Sequence, residues 1–547
     1  MYFSKRTIKL TGILVLIFSF ANIQAKNNYD YLYMNLPFSM SKVEEPVFMN
    51  NTVSVSDFGG LGDGYTLNTE AFKKSIEALS IKGGGRLIVP AGVWYTGPIE
   101  LKSNINLHLD KGALILFSSD FTLYPLVNTI FEGLETRRCQ SPISARNAVN
   151  IAITGEGSIN GSGEAWRPLK KAKVTDAFWK KVIKSGGVLK DPTYWFPSKG
   201  SLKGESISDS NVPRGKMTES DWLDIKDFLR PAMINLIECK NVLLKGVLFE
   251  NSPSWNIHPL KCTNLIIDNI TVRNPNFAQN GDGIDVESCK NVLIVNSSFD
   301  VGDDAICIKS GKDEEGRRRA RPAENIIVDN CKVFKGHGGF VVGSEMSGGA
   351  RNISVSNCQF LGTDVGLRFK SNRGRGGLVE NIYISDIYMF DIVTDSFLFD
   401  LYYGGKSASE SLDDGDTTPT EVQIPPVTAE TPSFRNIYVK NIVSRNARRA
   451  MFFNGLPEMN IKNINVENTI ITSQYGAVLC ESDGVKFKNV HIIQQNGPAL
   501  TLQNVKNFDL KDFTYPDNMP EVVKVVGNSM NIQLPASIEK TKIIGMK

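Results

Sequence analysis

Asp282, Asp303 and Asp304 are the residues whose types and spacing best fit bond-breaking chemistry. The stretch Asn280-Gly281-Asp282-Gly283-Ile284-Asp285 is followed by Gly302-Asp303-Asp304-Ala305-Ile306, which sets Asp282 and Asp303 21 residues apart. Carboxylates gathered together repel one another, so at least one of their pKa values should rise. Glycoside hydrolysis uses such a pair: one carboxyl gives a proton while another activates water or attacks. The same residue types also close Asx turns and hold Ca²⁺, and the aspartates alone leave those readings open.

Two further groups follow along the chain. Gly336-His337-Gly338 contains one of only four histidines, and its flanking glycines make a mere surface role a poor explanation, although a lone histidine is more often a hydrogen-bonding residue than a catalyst. Arg368 and Lys370 stand two apart, so on a strand they share a face. Together they suit a substrate carboxylate, bound by two hydrogen bonds from arginine and by the point charge of lysine. A solvated cation pair is the competing reading.

Something must bring these groups together, and a repeat supplies it. The phrase Asn, apolar, any, apolar, any, then Asn or Asp recurs at Asn241, Asn264, Asn291, Asn325, Asn352, Asn381, Asn436, Asn463, Asn507 and Asn531, with an early copy at Asn150 and a weak one at Gly484. Most neighbouring copies are 21 to 29 residues apart. The alternation has the period of a strand with one buried face. One strand every ~25 residues is one rung of a solenoid, with rungs ~4.8 Å apart. The predicted class is therefore all-β: a single-stranded right-handed parallel β-helix with a helical cap at its N-terminal end and loop insertions. On such a scaffold, Asp282 and Asp303 fall on neighbouring rungs.

Residues 51–535 are assigned to the solenoid, 26–50 to an N-terminal extension and 536–547 to a C-terminal tail. A helix is predicted over about Thr69–Ser80, where it covers the open end. An insertion at about 164–230 is rich in aromatics, and these suit its own small core better than sugar stacking. A second, at 404–433, reads as a flexible loop. Residues 1–25 combine Lys5, Arg6 and Lys9 with the apolar run Ile13–Phe18 and then Ala25, the pattern of a cleaved export signal. The product would lie in the periplasm or outside the cell, without membrane attachment.

The chain carries 61 Lys+Arg against 58 Asp+Glu, and three of the bases lie in the signal. A neutral remainder argues against a nucleic-acid partner. Cys239, Cys262 and Cys289 each precede a repeat Asn by two, and Cys331 and Cys358 each follow one by six. Equal register means stacking, as buried thiols or as bridges between rungs, with thiols the simpler reading. No Cys/His spacing resembles a zinc site, and neither metal nor cofactor is expected.

The ordered series Asn280-x-Asp282, Asp303-Asp304, Gly336-His337-Gly338 and Arg368-x-Lys370 resembles the four motifs of the polygalacturonase family of glycoside hydrolases (family 28). Asp57-Phe58-Gly59 and Pro90-Ala91-Gly92 extend the likeness to roughly 51–535, while Gly281 stands where the family usually has Thr. The resemblance implies inverting hydrolysis of α-1,4 galacturonosyl linkages in pectin, with a galacturonate polymer or oligomer as partner. It makes Asp303 the acid, with Asp282 and Asp304 holding and deprotonating the water. His337 would support the acid, Asn280 would join the substrate site, and Arg368 and Lys370 would bind a galacturonate carboxylate. Inversion leads one to expect carboxyls ~6.5–9.5 Å apart. Asp303 and Asp304 are adjacent, so a flat strand would turn them to opposite sides; the scheme needs a bend there.

Lesser candidates are Tyr402 or Tyr403 beside the substrate, Lys309 meeting a carboxylate, and His258, which lines the cleft or closes a turn, the turn being the favoured reading. The run Arg317-Arg318-Arg319-x-Arg321 sits beside Asp313, Glu314 and Glu315 and reads as a balanced surface segment. Exo action is expected if the 164–230 insertion walls off one end of the cleft. Alternatives are a rhamnogalacturonan hydrolase of the same family, a Ca²⁺-dependent pectate lyase and a binding solenoid without catalysis.

Overall fold

The computed structural model describes residues 28–209, 211–213, 215–405 and 424–546; the expected export signal and most of the expected 404–433 loop lie outside these residues. The repeat folds as a parallel β-helix in which 35 strands join one continuous sheet. The central coils have three strands each, as in Ile284–Glu287, Lys290–Val295 and Ser298–Asp300, and each pairs in parallel with its counterpart on the next coil, while towards the C-terminal end the strands merge into long ones such as Ser433–Asn454. The strand that the sequence advertises is the one that carries the repeat asparagine at its start.

The repeat asparagines mark the turn into that strand. Asn241, Asn264, Asn291, Asn325 and Asn352 all have φ between 56° and 59°. Asparagine visits this left-handed region more readily than most side chains. Their amides also form a ladder, with Asn264 donating to Asn241 at 3.0 Å and Asn291 to Asn264 at 3.0 Å. Each such bond contributes roughly 0.5–1.5 kcal/mol. Inside the coils Val292, Ile294, Phe299, Ile306, Ile308 and their equivalents form one continuous apolar core. All eight cysteines are buried free thiols, so no rung is bridged to another.

The helix Thr69–Ile81 buries Phe72, Ile76 and Leu79 against the first coils. Residues 29–48 run along the outside of the barrel, where Tyr29, Leu32 and Val43 pack on Leu243, Ile266 and Leu293. At the other end the coil continues further than expected: Ile543–Ile544 pairs with Val523–Lys524, so the segment assigned as a tail extends the sheet. The 164–230 insertion holds the strands Leu169–Lys170, Val188–Asp191 and Tyr194–Phe196 with three helices. Leu169, Trp179 and Trp195 form its small core, while Trp166 is buried against Tyr124. Asp313–Arg319 is a short helix whose cations are engaged, Arg317 by backbone carbonyls and Glu430, Arg319 by Gly133. No helix among the described residues is long and apolar enough to cross a membrane.

Candidate active site

The strands that precede each repeat asparagine stack into a sheet whose outward side chains carry the polar groups. Ile284 and Val286 point into the core, while Asp285 and Glu287 face out. On the next coil Ile306 and Ile308 point in, and Cys307 and Lys309 face out. The strand Asp304–Lys309 starts irregularly, because Ala305 and Ile306 both enter the core. Asp303 lies in the bend just before it and accepts from the backbone N–H of Asp304 at 3.0 Å. That bend is the one the sequence required, and it turns two adjacent aspartates toward one place.

Asp282 sits at the head of the preceding coil, and its neighbour Gly283 donates to the Asp304 carbonyl at 2.9 Å. One carboxylate oxygen from each of Asp282, Asp303 and Asp304 falls within 4.8 Å of the others. This is tighter than the ~6.5–9.5 Å expected for an inverting pair. Gly281 fits the packing: a Cβ there would lie 2.7 Å from that of Ala278.

The three carboxyls have different surroundings. Asp282 is pushed well above the usual carboxylate range by burial, then by Asp285 and Asp303, and its Oδ1 has no hydrogen-bond partner. Burial also works against the charged form of Asp304, but Lys370 at 2.7 Å and Arg368 at 3.1 Å outweigh it and hold the group well below that range. At Asp303 burial is outweighed by His337, whose Nδ1 is 3.0 Å from Oδ1 and whose backbone N–H donates to the Asp303 carbonyl at 2.9 Å. His337 is raised in turn, mainly by that hydrogen bond. The rise expected within the cluster thus falls on Asp282, while Asp303 and Asp304 rest as anions.

The other predicted site residues divide. Asn280 accepts from the buried Arg230 at 2.8 Å, which ties the end of the insertion to the site. Tyr403 lies with its ring 4.9 Å from Lys370 and 5.9 Å from Arg368. Tyr402 instead packs on the core beside Arg373, 5.1 Å from its ring. Lys309 does meet a carboxylate, but it is the protein's own: Glu345 lies at 2.9 Å and Asp285 at 3.6 Å, with Lys309 itself buried. His258 does not close a turn. It is a fully buried strand residue between Asn235 at 3.1 Å and Glu287 at 2.9 Å. Arg368 and Lys370 share a face as expected, yet both are occupied by Asp304.

Sequence reasoning passed over Glu345, Glu287 and Trp255, whose ring lies 4.9 Å from Lys309. It also passed over Asp364, 3.8 Å from His337 Nε2. Register could have found Glu287, since it pairs directly with Lys309. Glu345 and Asp364 lie in turns that carry no periodic signal.

Asp304 has both oxygens taken by cations, which suits a fixed anion more than a ligand for a metal. Three convergent carboxyls on the outer face of a parallel β-helix, one raised and two lowered, are the arrangement that glycoside hydrolysis uses. A model of glycosyl hydrolases family 28 matches residues 224–442. A probable polygalacturonase of Vitis vinifera is 30% identical over 349 residues, 62% of this chain and 61% of that one. An exo-poly-alpha-D-galacturonosidase of Dickeya chrysanthemi is 29% identical over 65% of this chain and 58% of its own. The crystal structure of a hyperthermoactive exopolygalacturonase from Thermotoga maritima is 34% identical, with a TM-score of 0.64, over 82% of this chain and 93% of that one. The chain belongs to glycosyl hydrolases family 28. It spans about three fifths of the length of the two curated relatives, at 61% and 58%.

Proposed function

We propose that the protein hydrolyses α-1,4 galacturonosyl linkages in pectin, releasing residues from a chain end. The convergence of Asp282, Asp303 and Asp304 within 4.8 Å is the observation that carries this reading. In the proposed cycle Asp303 protonates the leaving oxygen and His337 resupplies its proton across 3.0 Å. Asp304, kept ionised by Lys370 and Arg368, takes a proton from the attacking water. Asp282 hydrogen-bonds that water through a carboxyl that burial keeps neutral at rest.

Inversion is part of the proposal. The close spacing of the carboxyls makes the anomer of the first product the decisive reading, and proton NMR should detect β-galacturonate before mutarotation. Exo action is supported by the insertion: Arg230 holds Asn280, Tyr194 donates to Gln279 at 2.9 Å, and Lys173 lines the cavity beside His337. The exo activities named for the Dickeya and Thermotoga relatives point the same way. We place the enzyme outside the cytoplasm on the pattern of residues 1–25.

Digestion of polygalacturonate beside rhamnogalacturonan tests the whole reading. Monomer alone from the earliest times supports it, whereas a ladder of oligomers removes the exo assignment. Cleavage of rhamnogalacturonan only would move the substrate. A product absorbing in the ultraviolet, lost with a chelator, would replace hydrolysis by elimination.

A further inference from the structure

Of the cations that the sequence offers for substrate binding, Lys309 is taken up by the protein, while Arg368 uses only part of its donors and its buried Nε has no partner. Lys370 and Arg368 clasp Asp304, and Lys309 clasps Glu345. Releasing any of them to a substrate carboxylate would strand a buried charge inside the protein, which is strongly unfavourable. A polyuronate carries charge along its length and needs further cations in the cleft, and two lie beside His337.

A cavity of about 340 Å³ adjoins His337 and is lined by Lys173, Asn276, Lys335 and Asp364. That volume falls in the range of small-ligand sites, roughly 300–1,000 Å³. Lys173 comes from the insertion, at the end of the turn Lys171–Lys173; Lys335 ends the strand just before Gly336-His337-Gly338. Both are exposed, and among the described residues neither forms an ion pair. Gly302, Gly336 and Gly362 line it without side chains to fill it, and Val301 completes the lining. Asp364 is the one acid in the lining, and it already faces His337 at 3.8 Å. The cavity therefore presents two ammonium groups and a carboxamide beside His337, the residue that holds Asp303. Surface lysines are ordinarily solvated and idle. These two differ because separate segments deliver them to one concave site that touches the residue holding Asp303.

We propose that Lys173 and Lys335 form a subsite for the carboxylate of a uronate residue on the His337 flank of the cleft. The insertion then takes part in recognition as well as enclosing the site. The proposal rests on the reading of the chain as a galacturonan hydrolase and names how that substrate is held.

The test is binding of trigalacturonate by calorimetry in an Asp303→Asn background, so that turnover does not intervene. Lys173→Ala and Lys335→Ala should each weaken binding about tenfold, and the double substitution about 100-fold, as expected for losing charge-assisted contacts. Lys335→Arg should retain most of the affinity. A carboxyl-reduced, neutral trisaccharide should show no such dependence. In the catalytically intact protein the same substitutions should act on KM more than on kcat. An unchanged affinity in the double variant overturns the subsite, as does a parent protein that does not bind trigalacturonate. If the parent binds it through these lysines yet never cleaves galacturonan, the hydrolytic reading falls and the subsite stands.

Discussion

Replacing Lys370 by methionine isolates the electrostatic logic of the site. Lys370 Nζ lies 2.7 Å from one oxygen of Asp304, Arg368 lies 3.1 Å from the other, and the Asp304 side chain is 1% exposed. Removing one partner of a buried pair costs about 3–5 kcal/mol, and the remaining arginine places this case near the lower end. The protein can escape that cost by protonating Asp304. At 1.36 kcal/mol per pKa unit, a penalty of about 3 kcal/mol corresponds to a rise of about two units. Asp304 is held below its ordinary value of 3.8, so its charge contributes stability above pH 3.8 that is lost as pH falls through the folded value. In the variant that folded value is higher, and the loss begins at a correspondingly higher pH.

The assay is kcat/KM on oligogalacturonate from pH 2.5 to 7, where the acid limb should move up by about two units. A profile that is lowered but not displaced would show that Lys370 does not set the ionisation of Asp304. Stability gives an independent check. Lys370→Met alone leaves Asp304 paired with Arg368, whereas Lys370→Met combined with Arg368→Met strands the carboxylate, so the urea midpoint of the double variant at pH 7 should fall below that of Lys370→Met alone. Equal midpoints would refute the same reasoning.

Asp303→Asn should lower kcat by about 10²–10⁴-fold while binding of galacturonate oligomers, read by calorimetry, stays close to that of the parent. His337 is raised above its ordinary 6.5 by Asp303, so their pairing is complete below pH 6.5 and is lost as pH rises through the folded value. The alkaline limb of kcat/KM should accordingly lie above pH 6.5, and His337→Gln should abolish that limb. On the scaffold, Asn264 has φ 59° and bonds to Asn241 and Asn291. Asn264→Ala should cost about 1 kcal/mol more than Asn264→Gly in urea denaturation, because alanine adds the left-handed backbone penalty to the same lost amide bonds.

The solenoid was legible because its turn demands one residue type. A left-handed position that also stacks amide on amide selects asparagine coil after coil, and the strand beside it must alternate. Short flanking strands such as Ser298–Asp300 hold too few residues for a period, the strand Asp304–Lys309 is broken by its irregular start, and the antiparallel hairpin Leu126–Cys139 left no mark that the repeat could explain. The site was legible in its residues and much less so in its partners. Adjacent aspartates implied a bend, and the bend is there. Arg368 and Lys370 were placed on one face correctly, yet their engagement with Asp304 reaches across an intervening coil, where Gly338 presents no side chain, and spacing along the chain does not report that. Lys309 and His258 misled for a related reason. Both face outward from their strands, as a cleft residue would, but Glu345 reaches Lys309 from a turn without any repeat, and Glu287 reaches His258 from the neighbouring coil.

The ionisation states leave one requirement that the protein alone does not meet. Asp303 rests as an anion beside cationic His337, whereas an acid catalyst must hold a proton when the bond breaks. Negative charge brought close to Asp303 would raise it and favour transfer of the His337 proton across 3.0 Å. Under the proposed mechanism a galacturonate carboxylate is such a charge, so the substrate would help to arm Asp303. A carboxyl-reduced oligomer with the same linkage should therefore show a lower kcat as well as a higher KM. Saturating rates that match for the charged and neutral oligomers would mean that Asp303 acquires its proton without help from the substrate.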